Sequence, residues 1–402
     1  MSYDQYQTVF ALSSLANWVS RRHGVASAIQ ADYQRVLHAT LGSEPAKTAI
    51  GTWDVVWGPQ IWQAKESVRS DNAMFVAKSS DVNGIAGDVY VVAICATNPS
   101  SPYDWLVEDF DVASTVEFAK YDPLASSRPV AAGKLILPKT PVISMGTALG
   151  VWHLLNMVSP ASAAAPGTTL DAFLKTVEQS GATVVFTGHS LGGALSPTMA
   201  TWFKSRGLLA GCKDVYCYAT AGATPGNAAF AEVCAQMLPP PAIGEKPYQA
   251  WNHDMWNTLD VVPHAWVPEM LGEIPHIYDN GTIPGVEAFV FLARINALAS
   301  GITYSQIANQ SLQGTRSGSP PTDTFAFLKQ MAIQHGTAYQ TLIADWLTPV
   351  VPLGYALRSA EIDTDALLQV QATRLDEAAA GIRALQAKDR AAFTASTAAA
   401  GG

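Results

Sequence analysis

Short apolar runs alternate with amphipathic stretches along most of this chain. Runs rich in β-branched and aromatic residues, which favour buried strands, occur at residues 53–59, 74–77, 89–94, 131–143, 183–187, 215–219 and 256–260. Apolar positions at helical spacing predict helices at residues 9–41, 147–158, 170–177, 191–203, 227–238, 286–299, 323–333 and 361–393. This alternation predicts an α/β fold, with a mostly parallel sheet and helices on both of its faces.

The two ends of the chain add helices to this layered core. Gly24 divides the first helical stretch in two, and we expect both helices to pack on one face of the sheet. The Ala-rich helix near the other end is followed by a short Ala/Gly-rich segment that predicts disorder. We therefore expect one main domain, residues 1–360, followed by a C-terminal helix and disordered tail, residues 361–402.

A tight turn joins a predicted strand to a predicted helix in the middle of the chain. Residues 188–192 read Gly-His-Ser-Leu-Gly, directly after the apolar run at 183–187. The two glycines allow Ser190 to occupy a sharp corner, where its hydroxyl lies near the free N–H groups of the helix. Ordinary glycine-rich turns also contain such pentapeptides, but the flanking strand and helix favour a nucleophilic serine.

A nucleophilic serine needs a histidine as its base and a carboxylate that orients the histidine. Asp260 lies at the end of a predicted strand, where sites of parallel sheets form, and we predict it to be the acid. Two histidines beyond it, His276 and His335, are candidates for the base. We favour His335 because it lies at a helix-to-loop break followed by small residues. The alternative for each is a packing or surface histidine.

Composition excludes some classes of function. The 402 residues are 49% hydrophobic and only 14% charged, with a net charge of −9, which argues against a nucleic-acid surface and suits contact with lipid. The four cysteines fit no zinc spacing, so we expect buried thiols and no metal. No apolar run reaches transmembrane length and no signal peptide is visible. We expect a cytoplasmic protein, or one secreted without a classical signal.

Residues 103–110 have the pattern of a short amphipathic helix. Tyr103, Leu106, Val107 and Phe110 share one face at helical spacing, and Trp105 adds a further aromatic residue. One interpretation is a surface helix packed on the core. The other, which we favour, is a lid whose apolar face covers the active-site cleft in water and turns outward at a lipid surface.

Several motifs in order resemble the class 3 lipases, the family typified by the filamentous-fungal triacylglycerol lipases. The resemblance spans roughly residues 85–345. It is carried by Val-Val-Ala-Ile-Cys-Ala-Thr-Asn at 91–98, Val-Ile-Ser-Met-Gly at 142–146, Gly-His-Ser-Leu-Gly-Gly-Ala-Leu at 188–195, Thr-Ala-Gly-Ala-Thr-Pro-Gly-Asn at 220–227 and Asn-Thr-Leu-Asp-Val-Val-Pro at 257–263. One departure is Cys95-Ala96, where the family usually has Arg-Gly before the oxyanion threonine.

The resemblance implies an α/β-hydrolase fold and hydrolysis of carboxylic esters, above all triacylglycerols, at a lipid–water interface without metal or organic cofactor. It implies that Ser190 is the nucleophile, Asp260 the acid, and Thr97 and Leu191 the oxyanion donors. A soluble carboxylesterase or phospholipase is an alternative, and a catalytically silent lipid-binding module is another, because a fold alone does not fix function. The sequence leaves the oligomeric state open.

Overall fold

A computed structural model describes residues 2–95, 111–133 and 135–400 of the chain. Its strands are β1 (Arg22–His23), β2 (Asp54–Trp62), β3 (Asn72–Ser79), β4 (Val89–Ile94), β5 (Thr115–Glu117), β6 (Val142–Ser144), β7 (Thr183–His189), β8 (Asp214–Thr220), β9 (His253–Asn257), β10 (Asn309–Leu312) and β11 (Ala360–Glu361). Its α-helices are α1 (Gln5–Ala16), α2 (Ala26–Leu41), α3 (Glu44–Ile50), α4 (Met145–Asn156), α5 (Leu170–Glu178), α6 (Leu191–Ser205), α7 (Ala228–Met237), α8 (Pro268–Leu271), α9 (Pro284–Ala299), α10 (Thr324–His335), α11 (Ala338–Leu342) and α12 (Thr364–Ala400).

A seven-stranded sheet in the order β10–β9–β8–β7–β4–β3–β2 forms the centre of the molecule. The five strands from β10 to β4 are parallel to one another. Strands β3 and β2 complete one edge in antiparallel pairing. The predicted α/β fold with a mostly parallel sheet is therefore confirmed.

Side chains of the central strands alternate between two hydrophobic cores. In β7, Val184 and Phe186 belong to the core that includes α4, α5 and α6, whereas Val185 belongs to the core that includes α1 and α2. All seven residues of β7 are buried. A strand that is covered on both faces needs a continuous apolar run rather than an alternating pattern, which explains the sequence of this strand.

The terminal helices pack on the body of the protein. Helix α1 begins with a capping box, in which Asp4 accepts from the N–H of Gln7 and the Gln7 side chain accepts from the N–H of Asp4. In α12, Leu368 and Leu375 are buried in the same core as helix α9. The C-terminal helix thus contributes to the main core, and the domain boundary that we expected at residue 360 lies within β11.

Some elements differ from the sequence expectations. Strand β10 lies in a stretch for which the sequence predicts neither helix nor strand, because its sequence Asn-Gln-Ser-Leu lacks an apolar pattern. The predicted strand at 131–143 is reduced to β6, since its prolines interrupt pairing. Helix α12 extends to Ala400, beyond the predicted end at Phe393, and its last turns consist largely of alanine, the strongest helix former. Within the described parts of the chain, no helix is long and apolar enough to cross a membrane.

Candidate active site

The turn between β7 and α6 holds Ser190 in a strained backbone conformation. Its φ is +67° and its ψ is −123°, a backbone conformation that residues other than glycine rarely adopt. A Cβ atom on Gly188 would collide with the carbonyl oxygen of Gly192, and one on Gly192 would lie 2.6 Å from the carbonyl oxygen of Ile94. Both glycines are therefore required for the turn to pack closely between β4 and α6.

Three side chains from distant parts of the chain meet at this turn. The Nε2 atom of His335 lies 2.8 Å from the Oγ atom of Ser190. Its Nδ1 atom lies 2.8 Å from Oδ2 of Asp260. Because a carboxylate only accepts, Nδ1 carries the proton and Nε2 is free to accept the serine hydroxyl hydrogen. All three side chains are buried.

Asp260 accepts further hydrogen bonds that fix its position. The hydroxyl of Tyr339 lies 2.9 Å from Oδ2, and the backbone N–H of Val262 donates to Oδ1 at 3.0 Å. Burial raises the pKa of Tyr339 well above its usual range, and the nearby Asp260 charge raises it further, so the phenol remains a donor. Our sequence reasoning missed Tyr339. It lies on a separate helix, α11, beyond the break at Gly336, so no periodic pattern in the sequence relates it to His335.

His189 supports the backbone of the neighbouring histidine. Its Nε2 atom lies 2.7 Å from the carbonyl oxygen of His335, and its Nδ1 atom lies 3.0 Å from the hydroxyl of Thr220. Burial and, to a smaller extent, the nearby His335 together lower the pKa of His189 to about 3. The neutral ring donates from Nε2 to the carbonyl and accepts at Nδ1. It therefore lies beside the serine in the chain but points away from the serine hydroxyl.

The other histidines near the acid have different partners. Nδ1 of His276 lies 3.4 Å from the carbonyl oxygen of Asn280. Nδ1 of His264 lies 2.7 Å from the backbone carbonyl oxygen of Asp260. Of the two candidates for the base, the structure brings His335 to Ser190 and places His276 in a separate 3₁₀ turn.

Leu191 is the first residue of α6, where N–H groups have no acceptor within the helix. Strand β4 ends beside this helix start, since Ile94 is paired in register with Gly188. Five residues of the predicted site lie outside the described residues, namely Thr97, Tyr103, Trp105, Leu106 and Phe110.

A cavity of about 660 Å³ adjoins Ser190 and His335. Among the described residues, most of the apolar lining comes from two segments near the chain termini, the 3₁₀ turn that follows α1 and the stretch between α11 and α12. The described apolar lining residues are Trp18, Val262, Met331, Ala332, Trp346, Leu347, Pro349, Val351 and Leu357. Cavities of this size accommodate a small-molecule substrate.

Comparison with known proteins supports an assignment of the enzyme class. Residues 144–269 match the family model of the class 3 lipases. The chain carries a class 3 lipase region. That region contains Ser190 and Asp260, and the resemblance predicted from the sequence is thereby confirmed. The chain is a carboxylic ester hydrolase of the lipase type.

The likeness to M37 lipase extends beyond this region. The crystal structure of M37 lipase is 27% identical in sequence and superimposes with a TM-score of 0.65, covering 85% of this chain and 93% of that one. Lipase II from Rhizopus niveus is 15% identical, with a TM-score of 0.40 and coverage of 66% and 76%. The Rhizomucor miehei lipase in its propeptide complex is 17% identical, with a TM-score of 0.33 and coverage of 64% and 61%. A comparison with curated proteins gives no match.

Proposed function

We propose that this lipase region hydrolyses carboxylic esters, above all triacylglycerols, through an acyl-enzyme on Ser190. The observation that supports this most directly is the chain of two 2.8 Å hydrogen bonds from Ser190 through His335 to Asp260. This arrangement is the one that nucleophilic catalysis by serine requires, with a base that accepts the hydroxyl proton and an acid that holds the base in the correct tautomer.

In the first half of the reaction, Oγ of Ser190 attacks the ester carbonyl carbon while Nε2 of His335 takes the hydroxyl proton. The carboxylate of Asp260 stabilises the imidazolium that forms. The C–O bond to the alcohol then breaks, and the imidazolium gives its proton to the departing alkoxide. The alcohol leaves and the acyl group remains on Ser190.

In the second half, His335 takes a proton from water, and the resulting hydroxide attacks the acyl carbon. The tetrahedral intermediate collapses, the bond to Oγ breaks, and the proton on Nε2 returns to Ser190. The products are a carboxylic acid and the free serine. Each half passes through an intermediate whose oxygen bears a negative charge, which must be stabilised.

We propose the N–H of Leu191, at the start of α6, as one donor to this oxyanion. The partial positive charge at a helix N-terminus favours the same role. We propose Thr97 as the second donor on the basis of the family resemblance. Cys95, two residues earlier in the chain, lies close to Gly192, because a Cβ on Gly192 would be 3.5 Å from the Cys95 carbonyl carbon.

The test compares Ser190→Ala with Ser196→Ala, a matched change of a buried serine within the helix that follows Ser190. We expect the first to lose about 10⁶-fold in turnover of tributyrin and of p-nitrophenyl butyrate, and to lose labelling by a fluorophosphonate. His335→Ala should be nearly as inactive, whereas His276→Ala should stay within about threefold of wild type.

Two results would change the proposal. Activity of Ser190→Ala within about tenfold of wild type would rule out this nucleophile. Faster turnover of phosphatidylcholine, or of soluble esters alone, than of emulsified triacylglycerol would replace the substrate class by a phospholipid or a soluble ester while keeping the mechanism.

A further inference from the structure

The cavity beside Ser190 is built mainly by parts of the chain outside the class 3 lipase region. Among the described residues that line it, only His189, Ser190 and Val262 fall within residues 144–269. The remaining lining comes from residues 14–22, from α10 and the residue after it, and from residues 346–364. We call residues 346–361, which follow α11 and end with β11, the C-terminal strap.

Buried hydrogen bonds hold the C-terminal strap in place. Oδ2 of Asp32 accepts from the backbone N–H of Arg358 at 2.9 Å and from the N–H and hydroxyl of Ser359 at 2.7 and 2.6 Å. Its Oδ1 accepts from the hydroxyl of Tyr355 at 2.6 Å. The guanidinium of Arg22 donates to the side chain and carbonyl of Ser359. A wall fixed in this way keeps a defined shape, as selection by size requires.

The chemistry of the lining favours an uncharged hydrocarbon. Trp18, Trp346 and Leu347 present apolar surface near Ser190, with Trp346 also 6.3 Å from the ring of His189. Among the described lining residues, Arg21, Arg22 and Glu361 are charged. Arg22 donates hydrogen bonds to Ser359, and the negative charge of Glu361 acts on Arg21.

We propose that the C-terminal strap and Trp18 form the binding site for the acyl chain of the ester, and that Leu347 limits the length of chain that fits. The proposal rests on the acyl-enzyme on Ser190. The alcohol leaves after the first half of that reaction, whereas the acyl group stays attached to Ser190 through both halves. A cavity that contacts both Ser190 and His335 is therefore suited to the group that stays.

The test uses p-nitrophenyl esters from acetate to decanoate, each below its solubility limit. Each added methylene that enters the cavity should raise kcat/KM by up to about fourfold, until the cavity is full. Leu347→Trp should shift the optimum to shorter chains and lower the decanoate-to-butyrate ratio by about tenfold or more. Leu347→Ala should shift the optimum to longer chains.

The matched control is Leu353→Trp, because Leu353 lies on the same strap, is fully exposed and does not line the cavity. It should leave the dependence of kcat/KM on acyl chain length unchanged. Ratios within one preparation do not depend on the fraction of folded enzyme, so a folding defect in one variant cannot imitate the result. In a second series, butyrate esters of alcohols from methanol to octanol, the dependence of kcat/KM on alcohol chain length should be the same in all three variants and in wild type.

Two outcomes overturn the proposal. If kcat/KM depends on acyl chain length in both Leu347 variants as it does in wild type, the cavity does not hold the acyl chain. If only the dependence on alcohol chain length changes, the cavity holds the leaving group. Failure of the underlying mechanism is recognised separately, because Ser190→Ala would then retain hydrolysis whatever the two ester series show.

Discussion

Two buried aspartates tie C-terminal segments to the core, and their surroundings differ in one donor. Asp260 accepts from Tyr339, from a backbone N–H and from His335. Asp32 accepts from Tyr355, from Ser359 and from backbone N–H groups. Each has a phenol, at least one backbone amide and one further side chain as partners. In the region of Asp260 that further side chain is an imidazole, and in the region of Asp32 it is a hydroxyl.

Under the proposed function, this difference gives the same arrangement a catalytic role at Asp260 and a structural role at Asp32. A carboxylate with several donors stays in place and keeps its charge in a buried setting. When one donor is a histidine that also contacts a nucleophile, the charge stabilises the imidazolium that forms during catalysis. When all donors keep their protons at working pH, as around Asp32, the same charge only holds the chain together.

Replacing each aspartate by asparagine should affect activity most strongly at Asp260. Asp260→Asn should lower kcat on p-nitrophenyl butyrate by about 10⁴-fold, because the amide no longer holds the reactive tautomer of His335. Asp32→Asn should stay within about tenfold of wild-type kcat. Equal losses in the two variants would mean that both regions serve the chemical step.

Asp32→Asn should instead lower stability, by about 1–3 kcal/mol at pH 7, because buried donors lose a charged acceptor. Burial alone would raise the pKa of Asp32, but hydrogen bonds from Ser359, Tyr355 and the backbone hold it below its usual value. Its contribution is therefore present above the unfolded pKa of about 3.9 and is lost as pH falls through the folded pKa. Urea unfolding at pH 7, 5 and 3 should show the gap between wild type and variant narrowing on acidification. A gap that stays constant to pH 3 would contradict this account.

Removing one phenol from each region tests the role of that donor. Tyr339→Phe should lower kcat by about tenfold, because Asp260 loses a donor that fixes its position beside His335. Tyr355→Phe removes the equivalent donor from Asp32 and should leave kcat within about twofold of wild type. Equal kcat values in the two variants would limit Tyr339 to a packing role.

The two regions also differ in how far the sequence predicts them. The turn around Ser190 could be predicted because its glycines, its strand and its helix are contiguous. Asp260 and His335 could be placed by strand and helix ends. Their partner Tyr339 was missed.

The region of Asp32 could not be predicted at all. Its acceptor and donors are separated by more than 320 residues, and Asp32 in the sequence is one more polar position on an amphipathic helix. Likewise, the cavity wall near Trp18 and Leu347 depends on which terminal segments meet, and no local pattern encodes that meeting.

A third aspartate tests whether the donors decide the outcome. Asp254 on β9 is buried, and its Oδ1 accepts from the N–H of Gly222 at 3.1 Å. Burial raises the pKa of Asp254 well above its usual value. The Gly222 bond lowers it in part, and the negative charge of Asp260 raises it again.

The unfolded chain releases the proton of Asp254 at about pH 4, whereas the folded state keeps it up to the raised pKa. Between these two pH values the folded state binds more protons than the unfolded state, so the free energy of unfolding falls as pH rises. Asp254→Asn keeps an acceptor for Gly222 and removes the proton uptake. We expect the variant to be more stable than wild type by about 1 kcal/mol at pH 7.5, with the gain vanishing near pH 4. Thermal unfolding at the two pH values measures it. At neutral pH this change in stability is opposite in sign to the change expected for Asp32→Asn. A loss of stability in both variants would show that Asp254 is ionised in the fold and has a stabilising partner.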